Sequence, residues 1–343
     1  MLSEEKLVQE RLYGRMPSGR EIYEYTFCDG EVSFSVINYG ARITHFSIGT
    51  TDIVCGYDTL YDYLRDTSAQ GAAIGRFGNR IRNARFFLNG KSYQLAKNNN
   101  GIHHLHGGNV GYECRVFDVA EVSENAVLFK LQSHDGEEGY PGNLTLGIRY
   151  TLKDQALVIE YTAESDADTP LNLTNHSYFN LHGCTGKTVL DHSAVIYADS
   201  ISEVDDDLIP TGAPQDVTDT AYDFRTPHTF GERMPKRFGG YDNNYIIAGA
   251  PIAAVAGKEL PLIATVTANG IQMDVLSDRP CVQLYTACVL GGKPDFRGGV
   301  PRMQYGAYCL ETQETPDAPN QGKGILRAGE KFYTVTAYRL TRK

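Results

Sequence analysis

The sequence has no apolar run long enough to cross a membrane. It has no block of like charge either: acidic residues outnumber basic ones by ten (42 against 32), and both signs are scattered. That distribution argues against nucleic acid or an anionic membrane as the main partner and leaves a neutral small molecule open. The opening MLSEEKLVQERL carries charges every few residues and lacks an apolar h-region, so the expectation is a cytoplasmic protein. No CxxC occurs, and the seven cysteines are odd in number and dispersed, which reads as reduced core thiols rather than a disulfide frame or zinc site. In such a compartment the Asn-x-Ser/Thr triplets at Asn143, Asn172 and Asn175 carry no glycan. Several catalytic signatures are missing as well. There is no G-x-S-x-G elbow for a serine nucleophile. Gly186-Lys187-Thr188 imitates the end of a phosphate loop, but Leu181 stands where its first glycine belongs. Gly291-Gly292 and Gly298-Gly299 lack dinucleotide-binding spacing.

Helical periodicity is scarce. Residues 1 to 15 permit one short helix with Leu7, Val8 and Leu12 on a face, and beyond it the signal is β. From Leu144 to Leu152 every second residue is apolar, and after Lys153-Asp154-Gln155 the pattern resumes at Leu157, Ile159 and Tyr161, which predicts a hairpin. A second hairpin is predicted at RFFLNGKSYQL, where Asn89-Gly90 supplies the two positive-φ residues of a type I′ turn. Val32 to Ile37, Ala126 to Leu131, Ile271 to Leu276 and Val282 to Leu284 alternate similarly. Strands from end to end, punctuated by glycine, proline and aspartate, imply a large antiparallel β-sandwich rather than βαβ units. Without a linker or repeat to divide it, the chain is expected to form a single domain over residues 1–343. The weakly patterned region from Asp199 to Gly240 is expected to be an ordered loop lying over one sheet.

The stretch Thr169 to Gly183, TPLNLTNHSYFNLHG, alone sets a candidate proton donor on a predicted strand between clear apolar anchors. If extended, it turns Leu171, Leu173 and Phe179 to one face and Asn172, Thr174, His176, Tyr178 and Asn180 to the other. A polar floor with an imidazole and a phenol suits a polyhydroxylated ligand, although His176 taken alone is equally an ordinary histidine on a wet face. Gly75-Arg76-Phe77-Gly78-Asn79-Arg80 offers amide and guanidinium clamps for hydroxyls. In NNNGIHHLHGG the three histidines have no partner at metal-ligand spacing, so a hydrogen-bonding role is favoured over a metal, with His106 beside Gly107-Gly108 the choice. Asp242, in GGYDNNY, could accept two hydroxyls or simply serve a turn. Gln283 and Tyr285 share a face of one strand. Glu311 lies opposite Tyr308 and Leu310 in an otherwise apolar strand, where burial would raise its pKa and make it a usable base near neutrality.

Taken in order, GRFGNRI, LHGG, DGEEGYPGNL, NLTNHSYFNL, GYDNNY, VQLYT and LETQ-x-x-PDAPNQ resemble the aldose 1-epimerase (galactose mutarotase) family across nearly the whole chain. The resemblance implies a large β-sandwich with the sugar in a cleft on one sheet. It further implies Glu311 as catalytic base and His176 as catalytic acid, with Asn79, Arg80, His106, Tyr178, Asp242 and Gln283 around the hexose. Neither cofactor nor metal is implied, and the partner is a small-molecule aldose bound by a monomer or homodimer. The chain departs from the family pattern at Asn100-Gly101-Ile102-His103-His104, where N-G-P-N-S is common, and a frequent tryptophan is replaced by Phe117. Three other readings stay open at this point: a non-catalytic sugar sensor, a glycoside hydrolase, and a hexose 6-phosphate epimerase using Arg76, Arg80 and Arg82.

Overall fold

A computed structural model describes residues 8–343. Alternation in the sequence becomes paired strand. Leu144–Lys153 turns through Asp154 and Gln155, both at positive φ (54° and 59°), into Ala156–Ser165. Leu146 then faces Ala163 and Ile148 faces Tyr161, all four buried. The other predicted hairpin joins Arg85–Leu88 to Lys91–Gln94 through Asn89 and Gly90, at φ 52° and 76°. Phe86 pairs with Tyr93 across it, their rings stacked 5.0 Å apart.

Three sheets carry the architecture. Val8–Arg15, Glu21–Asp29, Val32–Ile37, Arg42–Ile48 and Thr51–Asp52 form a meander. A ten-stranded sheet is built on Ala126–Ser133, Leu144–Lys153, Ala156–Ser165, Lys331–Arg342, Ile271–Ser277 and Lys258–Ala268, in that spatial order. The third sheet runs Pro210–Asp216, Ala198–Val204, Asp242–Ile247, Cys281–Tyr285, Cys309–Gln313. Their pairings are antiparallel, and all three sheets send side chains into one core, Phe34, Phe129, Ile159, Val275, Val282 and Leu310 among them. The fold is a large antiparallel β-sandwich. Each such buried side chain contributes about 1.5–3 kcal/mol. A one-residue slip would turn a strand's whole inward set to solvent, so the core fixes the register.

Two expectations are corrected. Residues 8–15 are an edge strand paired with Glu21–Asp29, not a helix, while Leu7 and the residues before it lie outside the described residues. An edge strand buries little, so no strict alternation marks it: Leu12 is 47% exposed, and the register slips between Leu12 and Gly14. The region from Asp199 to Gly240 is also not a loop throughout, because two of its segments are strands that complete the third sheet. Pro210 and Pro214 disguise the outer one, and proline is tolerated there because an edge strand has one side without ladder partners. Among the described residues no helix is long and apolar enough to cross a membrane.

Candidate active site

The third sheet makes the floor. Its register sets Asp242 beside Tyr285 and Cys309 in one rung, and Asn244 beside Gln283 and Glu311 in the next. Cross-strand partners share a face, so these polar groups line one side while Tyr245, Val282, Leu284 and Leu310 enter the core on the other. Hydrogen bonds fix the polar rows: Gln283 Nε2 donates to Asp242 Oδ1 at 2.6 Å, Gln313 Nε2 to Asn244 Oδ1 at 2.9 Å, and Asn79 Nδ2 to Gln283 Oε1 at 3.2 Å.

The stretch from Thr169 to Gly183 is not the continuous strand expected. Only Thr169–Pro170 and Thr174–Asn175 pair as short strands, and everything from Thr169 to Leu181 is buried. Its polar side chains replace missing ladder partners. Asn172 donates to the Gly78 carbonyl and accepts from Arg279 and the Glu314 amide, while Asn180 donates to the carbonyls of Lys187 and Gly306. Of the expected polar face, His176 and Tyr178 reach the site. His176 Nε2 stands 3.6 Å from Glu311 Oε1. The Tyr178 ring stacks on the imidazole at 5.0 Å, and its hydroxyl donates to the Ser68 carbonyl, so Tyr178 braces His176.

The third wall joins two glycine-bearing turns. A Cβ on Gly107 would lie 1.9 Å from the Gly75 carbonyl oxygen, so only glycine lets LHGG seat against GRFGNR. That contact brings Asn79, Arg80 and His106 together. The Asn79 amide donates to His106 Nδ1 at 3.1 Å, and Arg80 Nη2 is 3.9 Å from Asp242 Oδ2. Since an N–H occupies Nδ1, the hydrogen of neutral His106 sits on Nε2, a fixed donor. The His106 ring meets His176 edge-on at 5.3 Å. His103 and His104 diverge: the first accepts from the Asn83 amide, and the second lies between the Ala96 carbonyl and the Tyr140 hydroxyl. Ile102, in the departing segment, is 47% exposed, and Phe117 is fully buried.

Burial dominates the electrostatics. Glu311 is raised to about 8, first by desolvation and then by Asp242, with Arg80 opposing. Desolvation lowers His176 to about 4 and holds His106 well below the usual histidine range, with His176 and Arg80 adding to the latter effect. Glu311 Oε2 is buried without a hydrogen-bond partner. One atom each from His106, His176 and Glu311 lie within 4.8 Å of one another, close enough to grip an ion. The bond at His106 Nδ1 opposes this, because ligation through Nε2 would move the ring hydrogen onto a nitrogen already facing an N–H. What the arrangement offers is a carboxyl and an imidazole side by side with one proton to pass. Cys309, Asn244 and Gln313 were not singled out from the sequence, although the i±2 spacing of Cys309 and Gln313 from Glu311 was there to be read.

The sequence model of the aldose 1-epimerase family matches residues 23–339. The chain is 36% identical to the galactose mutarotase of Homo sapiens, over 97% of this chain and 98% of that one. It is 33% identical to the aldose 1-epimerase of Escherichia coli, over 80% and 81%. Among solved structures, galactose 1-epimerase from Lactobacillus acidophilus superposes with a TM-score of 0.85 at 25% identity, covering 98% of each chain. An aldose epimerase homologue from C. elegans gives 0.83 at 28%, over 92% of this chain and 98% of that one. The chain belongs to the aldose 1-epimerase family.

Proposed function

We propose that the protein is an aldose 1-epimerase that interconverts the α and β anomers of free hexoses such as glucose and galactose. The observation that carries the reading is the buried pair of Glu311 and His176, 3.6 Å apart on a floor of hydroxyl-binding groups. A cyclic aldose opens when its C1 hydroxyl loses a proton and its ring oxygen gains one. Those two oxygens sit on one carbon, so a carboxylate and an imidazolium side by side serve both. Glu311 takes the hydroxyl proton and His176 supplies the ring oxygen. The free aldehyde then turns about C1–C2, and the same groups in reverse close the ring from the other face. His106 does not compete for the acid's role, because its only hydrogen is the fixed one on Nε2. It serves instead as a donor to the sugar, with Asn79, Arg80, Asp242 and Gln283 holding hydroxyls and Tyr178 bracing the acid. Nothing in this proton traffic calls on a cofactor.

A phosphorylated hexose is disfavoured because the nearby arginines are engaged. Arg76 is buried and donates to Ser133, Pro141, Gly142 and Thr169, Arg82 binds Asp205 and the Pro210 carbonyl, and Arg80 faces Asp242. Polarimetry of freshly dissolved α-D-glucose, α-D-galactose and α-D-glucose 6-phosphate tests the reading. Acceleration is expected for the two free sugars, with a kcat/KM at least about tenfold lower for the phosphate. Sugar binding without faster anomer exchange would select a non-catalytic sensor instead.

A further inference from the structure

The strand that carries Glu311 also carries Cys309, two residues back on the same face and fully buried. Cys309 Sγ is 3.6 Å from His176 Nδ1, while Nε2 of the same ring is 3.6 Å from Glu311. One strand therefore contacts both nitrogens of the imidazole, and Tyr178 and His106 pack around it. The proton transfer has no step for sulfur. Burial keeps the Cys309 thiol well above its usual range, so it is neither a nucleophile nor a proton donor at neutral pH.

We propose that Cys309 is a positioning residue whose sulfur accepts Nδ1–H of His176, leaving Nε2 as the nitrogen that gives and takes back the proton. The proposal rests on the reading of His176 as the acid. Its chemical sense lies in the weakness of sulfur as an acceptor. A carboxylate at this point would stabilise the imidazolium and blunt it as an acid, whereas a thiol fixes the tautomer with little pull on the proton. Sulfur's reach matters too, since the contact spans two backbones that are not paired with each other at this point.

Long-range proton–nitrogen correlation spectra of the uniformly labelled full-length protein at pH 7, with the His176 signals assigned by their loss in His176→Asn, read the tautomer directly. The expected spectrum has the neutral ring protonated on Nδ1. Cys309→Ala should mix the two tautomers and lower kcat about tenfold with KM little changed, as loss of ring orientation implies. Cys309→Ser, whose hydroxyl also accepts, should restore the Nδ1–H signal and most of the rate. A wild-type ring protonated on Nε2 overturns the proposal, and so does a folded Cys309→Ala protein with unchanged tautomer and kcat. Should Cys309→Ala fail to fold, the wild-type spectrum and Cys309→Ser decide. If the wild type does not speed anomer exchange, the functional reading fails on its own, while the spectrum still reports on the sulfur contact.

Discussion

At the scale of single residues, the site turns on two groups that burial pushes in opposite directions. Glu311 rises from 4.5 to about 8 and His176 falls from 6.5 to about 4, so between those limits the pair holds one proton. In the proposed mechanism the reactive arrangement, proton on His176 and charge on Glu311, is a minor tautomer of that singly protonated pair. Below about pH 4 both groups carry protons and no base remains, and above about 8 neither does and no acid remains. The enzyme-dependent rate should therefore form a bell with limbs near these values, and a rate still rising from pH 8 to 9.5 contradicts it. Stability should respond with opposite signs. Unfolded Glu311 gives up its proton above 4.5 while the folded group keeps it to about 8, so stability is lost as pH rises through that window, by up to about 1.4 kcal/mol per pH unit. Unfolded His176 gains a proton below 6.5 while the folded group resists to about 4, so stability is lost as pH falls through that range. Hence the Tm of Glu311→Gln minus that of wild type should grow from pH 5 to 8, and the corresponding gap for His176→Asn should grow from pH 6.5 to 4.5. Gaps that do not change with pH, measured calorimetrically, contradict the burial account.

At the scale of elements, the wall that presents Asn79 and His106 depends on the close approach of two turns. Gly107→Ala puts a methyl 1.9 Å from the Gly75 carbonyl at a φ of +87°, and it should cost about 3 kcal/mol or more in urea unfolding. Sugar KM should rise with it as Asn79 and His106 shift. Gly101→Ala has nothing within 4 Å and only its φ of +68° against it, so about 1 kcal/mol is expected, with KM unchanged. Equal costs for the two variants would show that backbone preference, not the approach of the turns, is what glycine serves at Gly107. The same contact shows which elements could be read beforehand. Hairpins were legible because turn residues and alternation agree locally, as at Asn89-Gly90. The edge strands Val8–Arg15 and Pro210–Asp216 were not, because solvent on one side relaxes both alternation and the ban on proline. From Thr169 to Leu181 the error was of another kind: side-chain amides there do the hydrogen bonding that alternation assigns to a ladder.

At the scale of the whole molecule, the site is a product of topology. Asp242, Gln283 and Glu311 share one sheet, but Asn79, His106 and His176 reach it from three separate segments, and no spacing in the chain announces the convergence. Glu311 could be picked out because a carboxylate directly after Tyr308, Cys309 and Leu310 is locally odd, and the ordered motifs carried His176 and the groups proposed to hold hydroxyls with it. Cys309 carries no such oddity, since a small apolar-looking residue in a buried strand is ordinary; its significance appears only when His176 arrives from a distant segment. The core that enforces this meeting is shared, with Phe179 packed between Tyr308 and Tyr338 at 5.9 and 5.2 Å, joining the His176 segment to the ten-stranded sheet and to the residue that leads into Cys309–Gln313. Phe179→Ala should lose about 3–5 kcal/mol and slow anomer exchange without touching sugar, read by unfolding and polarimetry together. The pairing of Glu311 with His176 is tested most directly by anomer exchange of D-galactose at equilibrium, followed by magnetisation-transfer NMR at pH 6 with wild type, Glu311→Gln and His176→Asn. Each variant should fold, bind galactose and exchange it about 10²- to 10⁴-fold more slowly than wild type, with the double variant no worse than about the poorer single one. A folded variant at either position that exchanges galactose at the wild-type rate contradicts that pairing.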